Sequence, residues 1–101
     1  GTGKLEVVEK QELILEELCG RNRGKRTYSI TPTETFTLDV SSVTAVGKQK
    51  GFLVENLGDL GLSMRTNELS VNFMKRGSAV VVGSKDESDA ISLYKTLLSQ
   101  N

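Results

Sequence analysis

Alternation of hydrophobic and polar residues is clearest in the C-terminal third of the chain. Leu69, Val71 and Phe73 alternate with polar or flexible neighbours, which is the period of a half-buried strand. The run 79–82 is apolar at every position, so it has apolar residues on both faces, as expected for an inner strand. Gly77 lies in the turn "KRGS" between them, where a positive φ costs glycine little. The pattern therefore predicts two consecutive strands joined by a tight turn.

A helical period follows these strands. The apolar positions that fall on one stripe are Ala90, Ile91, Tyr94, Leu97 and Leu98. They predict a helix over about 86–99. Ser84 followed by Glu87 three residues later has the spacing of a capping box, with Ser84 as N-cap. Acidic residues at 86, 87 and 89 suit the positive end of the helix dipole.

Two further strands are predicted upstream, in "GFLVENLGDLGLSMRTNE". Phe52 and Val54 belong to the first strand. Leu60, Leu62 and Met64 share one face of the second. The turn "NLGD" separates the two strands.

A second helix is predicted over about 40–49, although its β-branched residues have low helix propensity. Asp39 is the predicted N-cap of this helix. Val40, Val43 and Val46 form an apolar stripe, to which Ala45 can be added. The segment "GKQKG" marks the end of the helix. The segment "KRTYSITP" before it alternates like a strand and ends at Pro32, which lacks a backbone donor.

The first twenty residues leave two readings open. "KLEVVEK" alternates like a strand, whereas residues 11–18, "QELILEEL", fit either a strand or a helix. The whole order predicts one α+β domain spanning residues 1–101. Its antiparallel β-sheet carries two helices packed on one face, as a β-α-β-β-β-β-α core preceded by one or two extra strands.

The amino-acid composition argues against some classes of function, those that need a strongly charged surface. Lys+Arg and Asp+Glu both count 13 in 101 residues, so the net charge is zero. This balance argues against a nucleic-acid or membrane surface. The basic run from Arg21 to Arg26 follows five glutamates, and we interpret it as a solvated loop in preference to a phosphate-binding patch. No apolar run is long enough to span a bilayer, so we expect a cytoplasmic protein.

The chain has one cysteine and no histidine. An internal disulfide, a cysteine-based zinc cluster and a Cys/His or Ser/His catalytic pair therefore cannot be built from it. Gly51, Gly58 and Gly61 do not form a nucleotide-binding fingerprint, because they do not lie between a strand and a helix. The chain begins "GTGK", and we expect it to be the C-terminal part of a longer protein.

Three stretches taken together point to a family: "ELCGRN", "TPTETFTLDV" and "MKRGSAVVVGSKDESDAISLYKTLL". Over roughly residues 17–99 the chain resembles the C-terminal extension of MoeB/ThiF/HesA-type adenylyltransferases, which are related to ubiquitin-activating E1 enzymes. The matching positions near the end are Gly77, Ala79, Val81, Gly83, Asp86 and Leu93-Tyr94. The stretch "RNRGKRTYSI" is longer than in many relatives.

The resemblance implies that the chemistry lies outside this chain. Family members bind ATP, often hold zinc through two CxxC pairs, and adenylate the C-terminal glycine of a ubiquitin-like sulfur carrier in thiamine or molybdopterin biosynthesis. This chain has neither the nucleotide loop nor a CxxC pair, so ATP and zinc are expected only on a parent domain. We predict no cofactor-binding and no metal-binding residue here.

Cys19 is the candidate catalytic residue. E1-like enzymes often use such a cysteine as an acceptor thiol, and nearby Arg21, Arg23, Lys25 and Arg26 would favour its thiolate. The other interpretation, which we favour, is a buried residue at a strand end, with Gly20 in a tight turn. Other polar groups are assigned to structure. Tyr28 is predicted at a sheet edge, Tyr94 between helix and sheet, and Asp39, Ser84, Asp86 and Glu87 in helix caps.

Two functions remain in view. The first is a non-catalytic accessory domain that docks the sulfur carrier or its own catalytic domain. The second is a free-standing module that binds a small molecule or pairs an edge strand with a protein, including a second copy of itself in a homodimer. Neither involves nucleic acid or a membrane.

Overall fold

The computed structural model describes residues 13–22 and 25–98, and it leaves the side chains of residues 19–22 undescribed. Within these described residues, six strands and two helices follow one another. The strands are β1 (Leu13–Asn22), β2 (Lys25–Pro32), β3 (Leu53–Asn56), β4 (Leu62–Arg65), β5 (Ser70–Phe73) and β6 (Ala79–Val82). The helices are α1 (Val40–Gln49) between β2 and β3, and α2 (Glu87–Leu98) after β6.

All six strands form a single antiparallel sheet in the order β1-β2-β6-β5-β4-β3. The α+β class and the predicted order of elements are therefore confirmed. β6 lies between β2 and β5 and is therefore an inner strand, as predicted; Ala79 and Val81 are buried, whereas Val80 and Val82 are half-buried on the other face. The connection through α1 carries the chain from β2 across to the far edge at β3. The four strands β3 to β6 then return towards β2 as successive neighbours.

The hydrophobic core lies on one face of this sheet. α1 and α2 contact each other, and each also contacts a strand. Alternate residues of β2, β4, β5 and β6 point into the core and are buried. The largest side chains with almost no exposed surface are Tyr28, Ile30, Leu62, Met64, Phe73, Tyr94, Leu97 and Leu98. The predicted stripe of α2 is thus confirmed, and Val43 is the buried position of the α1 stripe.

The bounds of α1 follow from its terminal residues. Asp39 accepts a hydrogen bond from the Ser42 backbone N–H at 3.2 Å, which satisfies one of the free donors of the first turn. Past the helix, Gly51 has a φ of +89° that ends the run. The helix over 40–49 and the Asp39 cap are confirmed, and local capping outweighs the low propensity of its valines.

The start of α2 differs from the prediction. The N-cap is Asp86, whose Oδ1 accepts from the Asp89 backbone N–H at 2.8 Å. Asp89 in turn accepts from the backbone N–H of Lys85 at 3.2 Å. Ser84 is only 5% exposed, and no described group pairs with its hydroxyl. Ser84 cannot cap because the chain leaves β6 with this side chain turned into the interior, three residues before the helix begins at Glu87.

Tyr94 fastens α2 to the sheet. Its ring stacks on Phe73 with centroids 5.9 Å apart. Its hydroxyl donates to the Gly77 carbonyl at 2.6 Å inside the core. Gly77 has a φ of +101° and lies against the Phe36 ring, so a side chain there would be both strained and obstructed. The β5–β6 turn is thereby held beneath the helix.

Three predictions about strands need correction. Leu60 is not in β4. It belongs to a short 3-10 turn, Gly58–Leu60, and is 76% exposed. Phe52 is buried but precedes β3. Tyr28 is not at a sheet edge, because β1 pairs with β2 and makes it an inner strand.

The ambiguous segment 11–18 is a strand over its described part, residues 13–18. Leu13 and Leu15 pack against the core, whereas Ile14 is 58% exposed. The predicted strand "KLEVVEK" lies outside the described residues.

Alanine substitution can distinguish which residue, Ser84 or Asp86, is the N-cap of α2. We expect Asp86→Ala to lower the free energy of unfolding by about 1 kcal/mol, because a helix N-cap is lost. Ser84→Ala should leave it unchanged or raise it, since a buried hydroxyl without a partner is removed. Urea unfolding followed by circular dichroism measures both. An equal loss in the two variants would contradict the assignment of the cap.

Tyr94 should make the protein sensitive to alkaline pH. Burial raises the pKa of Tyr94 above its ordinary value. The unfolded chain loses this proton once the pH passes about 10, whereas the folded protein keeps it, so the free energy of unfolding falls with rising pH.

We therefore expect the free energy of unfolding of Tyr94→Phe to decline less than that of the parent protein between about pH 10 and 11.5. At pH 7 the variant should be less stable by about 1 kcal/mol, because it loses the bond to Gly77. Urea unfolding at each pH provides the comparison. Parallel pH profiles would rule out Tyr94 as the titrating group.

Candidate docking face

The described part of the chain packs both helices on one face of the sheet and leaves the other face open. The open face is organised in two rows that cross all six strands in register. The row nearer the β1–β2 connection contains Leu18, Thr27, Val82, Ser70, Arg65 and Leu53. The second row contains Glu16, Ser29, Val80, Asn72, Ser63 and Glu55.

Side-chain size varies systematically across this face. The positions on β2, β6 and β5 carry only Ser, Thr, Asn or Val. Longer side chains stand on the outer strands, where Leu18 is 38% and Leu53 61% exposed. Small residues between large ones give the face a shallow trough along the strands. From β1 to β4 it is four strand spacings wide, about 19 Å, which is enough for a helix or an extended segment.

A depression of about 310 Å³ lies at one end of this trough. Its lining includes Val82 of β6 and Ser70 of β5, which pair with each other. Lys25 of β2 and Arg65 of β4, the strands on either side, also line it. The β4–β5 turn closes the end with Thr66, Glu68 and Leu69. Thr66 shapes this turn, since its hydroxyl accepts from the backbone N–H groups of Glu68 and Leu69 at 3.2 and 3.0 Å.

Lys25 is held in place by a contact between distant parts of the chain. Its ammonium donates to the Glu68 carbonyl at 3.0 Å. That carbonyl lies against Gly83, which has a φ of +100° and whose Cα leaves no room for a Cβ. Gly83 also donates its backbone N–H to Arg26 O at 2.9 Å. A glycine at the end of β6 therefore allows the β4–β5 turn to approach the start of β2.

The predicted solvated loop does not behave as one unit. Lys25 alternates with Thr27 and lies on the open face, whereas Arg26 lies on the helix side. The Arg26 guanidinium is 3.4 Å from the Tyr28 hydroxyl and 3.5 Å from Lys85 O. The hydrogen bond and charge interaction with Tyr28, followed by the charges of Glu17 and Asp86, raise the pKa of Arg26. The two basic residues of this run whose side chains are described, Lys25 and Arg26, thus lie on opposite faces of the sheet.

Cys19 lies within β1, not at its end. Leu18 pairs with Thr27 and Asn22 with Lys25, so the three residues 19–21 stand opposite Arg26 alone. This is a bulge in the strand. The expected tight turn at Gly20 is wrong, because the strand continues to Asn22. Whether the thiol is buried or accessible lies outside the described side chains, so both interpretations of Cys19 stay predictions.

The other candidate groups are engaged in folding. Asp39 and Asp86 cap helices, and Tyr94 is buried in the core. Among the described residues, no three histidine, cysteine, aspartate or glutamate side chains are placed to hold a metal ion. Neither of the two described helices has the length and apolar character needed to cross a membrane.

Sequence reasoning missed the open face and its depression. The available signal was the frequency of Ser, Thr and Asn at alternate positions of three strands, β2, β4 and β5, which indicates a face without a cover. Comparison of the chain with protein-family models, with curated proteins and with solved structures found no match.

Gly83 provides a test of the close approach that shapes the depression. We expect Gly83→Ala to lower the free energy of unfolding by about 2–3 kcal/mol, because a side chain there combines a strained φ with a collision against Glu68 O. Gly51→Ala is the matched control, with a similar φ but open space around the added methyl. It should cost about 1 kcal/mol. Equal losses in urea unfolding would show that the approach of the β4–β5 turn is unimportant.

Proposed function

We propose that this domain is a non-catalytic accessory domain of an E1-like adenylyltransferase of the MoeB/ThiF/HesA type, acting in the cytoplasm. Its role is to dock either the ubiquitin-like sulfur carrier or the enzyme's own catalytic domain. The open face of the sheet is the docking surface. ATP binding and adenylation take place on the catalytic domain.

The open face is the observation that carries this proposal. A six-stranded sheet with both described helices on one side leaves a broad surface of small polar and branched apolar side chains. Several of its larger apolar groups, among them Ile14, Leu18 and Leu53, are exposed. These groups stand on the two edge strands β1 and β3, and the half-buried Val80 and Val82 lie between them on β6. Exposed apolar groups interspersed with polar residues on one face can serve a protein–protein contact.

The order of elements supports the family assignment. The three stretches that carry the resemblance correspond to the second half of β1, to the entry into α1, and to the β5–β6 turn, β6 and α2. Most of the matched positions serve the fold: Gly77 in a turn, Ala79 and Val81 in the core, and Asp86 as a cap. A domain whose polar groups are largely used in folding suits docking better than catalysis.

A second candidate function uses the edge of the sheet instead of its face. β3 is the last strand in the order, and it is four residues long with Leu53 and Glu55 exposed. An exposed edge can add a strand from another protein or from a second copy of this chain. In that case the interface would centre on the backbone of residues 53–56.

Binding can be tested by titrating the isotope-labelled domain with the sulfur carrier and, separately, with the catalytic domain. We expect one of them to shift backbone amide signals along β2, β6, β5 and β4. Shifts confined to β3 would favour the edge-strand function. Unchanged spectra at tenfold excess of both partners would reject docking.

A pair of identical substitutions separates the open face from the helix surface. Ser63→Arg places a long charged side chain on the small-residue trough and should weaken docking at least tenfold. Ser92→Arg makes the same change on the exposed side of α2 and should leave docking unchanged. Both variants should fold, since neither serine is buried. Equal affinities for the two variants would contradict the use of this face.

A further inference from the structure

The charges of the open face are sorted along the strands. Its basic groups, Lys25 and Arg65, lie together at the depression. Its acidic groups, Glu16 and Glu55, lie in the second row, on the outer strands β1 and β3. The row that contains Arg65 lies two residues along the strand from the second row, about 7 Å, which is less than the screening length at physiological ionic strength. Lys25 lies a further two residues away, beyond Thr27.

The two basic groups differ in how they are held. The Lys25 ammonium is already fixed by the Glu68 carbonyl and retains further donors. Arg65 is exposed, and no hydrogen bond or ion pair joins its guanidinium to the described residues. It therefore has its full set of donors available, in the planar arrangement that suits a carboxylate.

The lining of the depression favours an anion of modest charge. Thr66 and Ser70 add hydroxyl groups beside the two cations. Glu68 also lines the depression and contributes one negative charge, so the lining carries a net charge of +1 at neutral pH. A single carboxylate neutralises this net charge of +1, whereas a dianionic phosphate would leave one negative charge uncompensated beside the Glu68 carboxylate.

A continuous polyanion fits the face poorly. A nucleic-acid backbone laid along the trough would pass from Lys25 and Arg65 into the row that holds Glu16 and Glu55. A protein segment can instead place an acidic residue at the depression and uncharged or basic residues over the second row. The apolar surface of Val80 and Val82 in the trough favours such a segment as well.

We infer that the depression between Lys25 and Arg65 binds a carboxylate of an acidic segment of the docked protein. This inference rests on the proposed function in that the same open face is used. It adds the chemistry by which one end of the open face recognises the docked protein. Because the site lies at only one end of the strands, it also determines the orientation of the docked segment on this face.

The test uses the labelled 101-residue chain and a synthetic probe, so it does not require the natural partner. The probe is acetyl-Glu-Ala-Glu-Ala-Glu-amide, and its uncharged counterpart has Gln in place of each Glu. At low salt we expect the Glu peptide to shift the amides of residues 65–70, Lys25 and Val82, and the Gln peptide to leave them unchanged. Equal shifts from the two peptides would overturn the inference.

Matched substitutions locate the site. Arg65→Glu should weaken binding of the Glu peptide about five- to tenfold, because an attraction at the depression becomes a repulsion. Arg76→Glu makes the same change in the β5–β6 turn at the opposite end of the sheet, and should leave binding unchanged. Lys25→Met provides a second, uncharged variant, with an expected loss of about threefold. Equal weakening by Arg65→Glu and Arg76→Glu would show that the peptide responds only to overall charge.

Two further probes distinguish the source of the anion. Inorganic phosphate that shifts the same amides at lower concentration than the peptide would identify a general anion site and reject an acidic segment. A single-stranded oligothymidylate that binds there more tightly than the peptide would identify a nucleic-acid site, with the same consequence. Failure of the sulfur carrier and the catalytic domain to bind would reject the proposed function alone, because the peptide result is independent of them.

Discussion

Burial of one face of the sheet beneath two helices is the constraint on which the rest of this structure depends. Tyr94 links the layers, because its ring packs on β5 while its hydroxyl satisfies a carbonyl in the β5–β6 turn. A carbonyl buried in this position without a donor would cost about 1–3 kcal/mol. The helix is therefore fixed in its position along the sheet as well as in its distance from it.

This one-sided burial determines the character of the other face. Because side chains alternate along a strand, every residue committed to the core places its neighbour on the open side. Ser, Thr, Asn and Val fill the middle of that side. Val and Thr suit a strand by propensity, and the polar side chains of Ser, Thr and Asn do not build up a second core. The trough and its charged end are thus a consequence of the pattern that forms the core.

The elements were largely predictable because each depends on local periodicity. The β5–β6 pair, both helices and the Asp39 cap follow from patterns of two and 3.6 residues. The predictions of residue positions fail where two local structures are both compatible with the sequence. Ser84 and Asp86 are both good caps, and only the course of the chain after β6 decides between them. Leu60 continues the alternation of β4, yet the Gly58–Leu60 turn interrupts the strand.

The candidate site was less predictable than the fold. The depression joins residues from β2, β4, β5 and β6, and their proximity depends on the register of strands that are up to 57 residues apart in the chain, from Lys25 to Val82. Tyr28 shows the same limit, since its place in an inner strand depends on whether residues 13–18 pair with β2. The local sequence of that segment is compatible with either a helix or a strand.

The bulge opposite Arg26 has a consequence for how this hairpin tolerates changes in length. Three residues face one, so β1 carries two residues more than regular pairing needs. An even surplus lets regular pairing resume beyond the bulge, where Asn22 pairs with Lys25 as Leu18 pairs with Thr27, whereas a shift of the register by one residue would exchange the two faces. Insertions and deletions at this edge should therefore be accepted in steps of two, which leaves room for the hairpin to lengthen while the two faces of the sheet keep their identities.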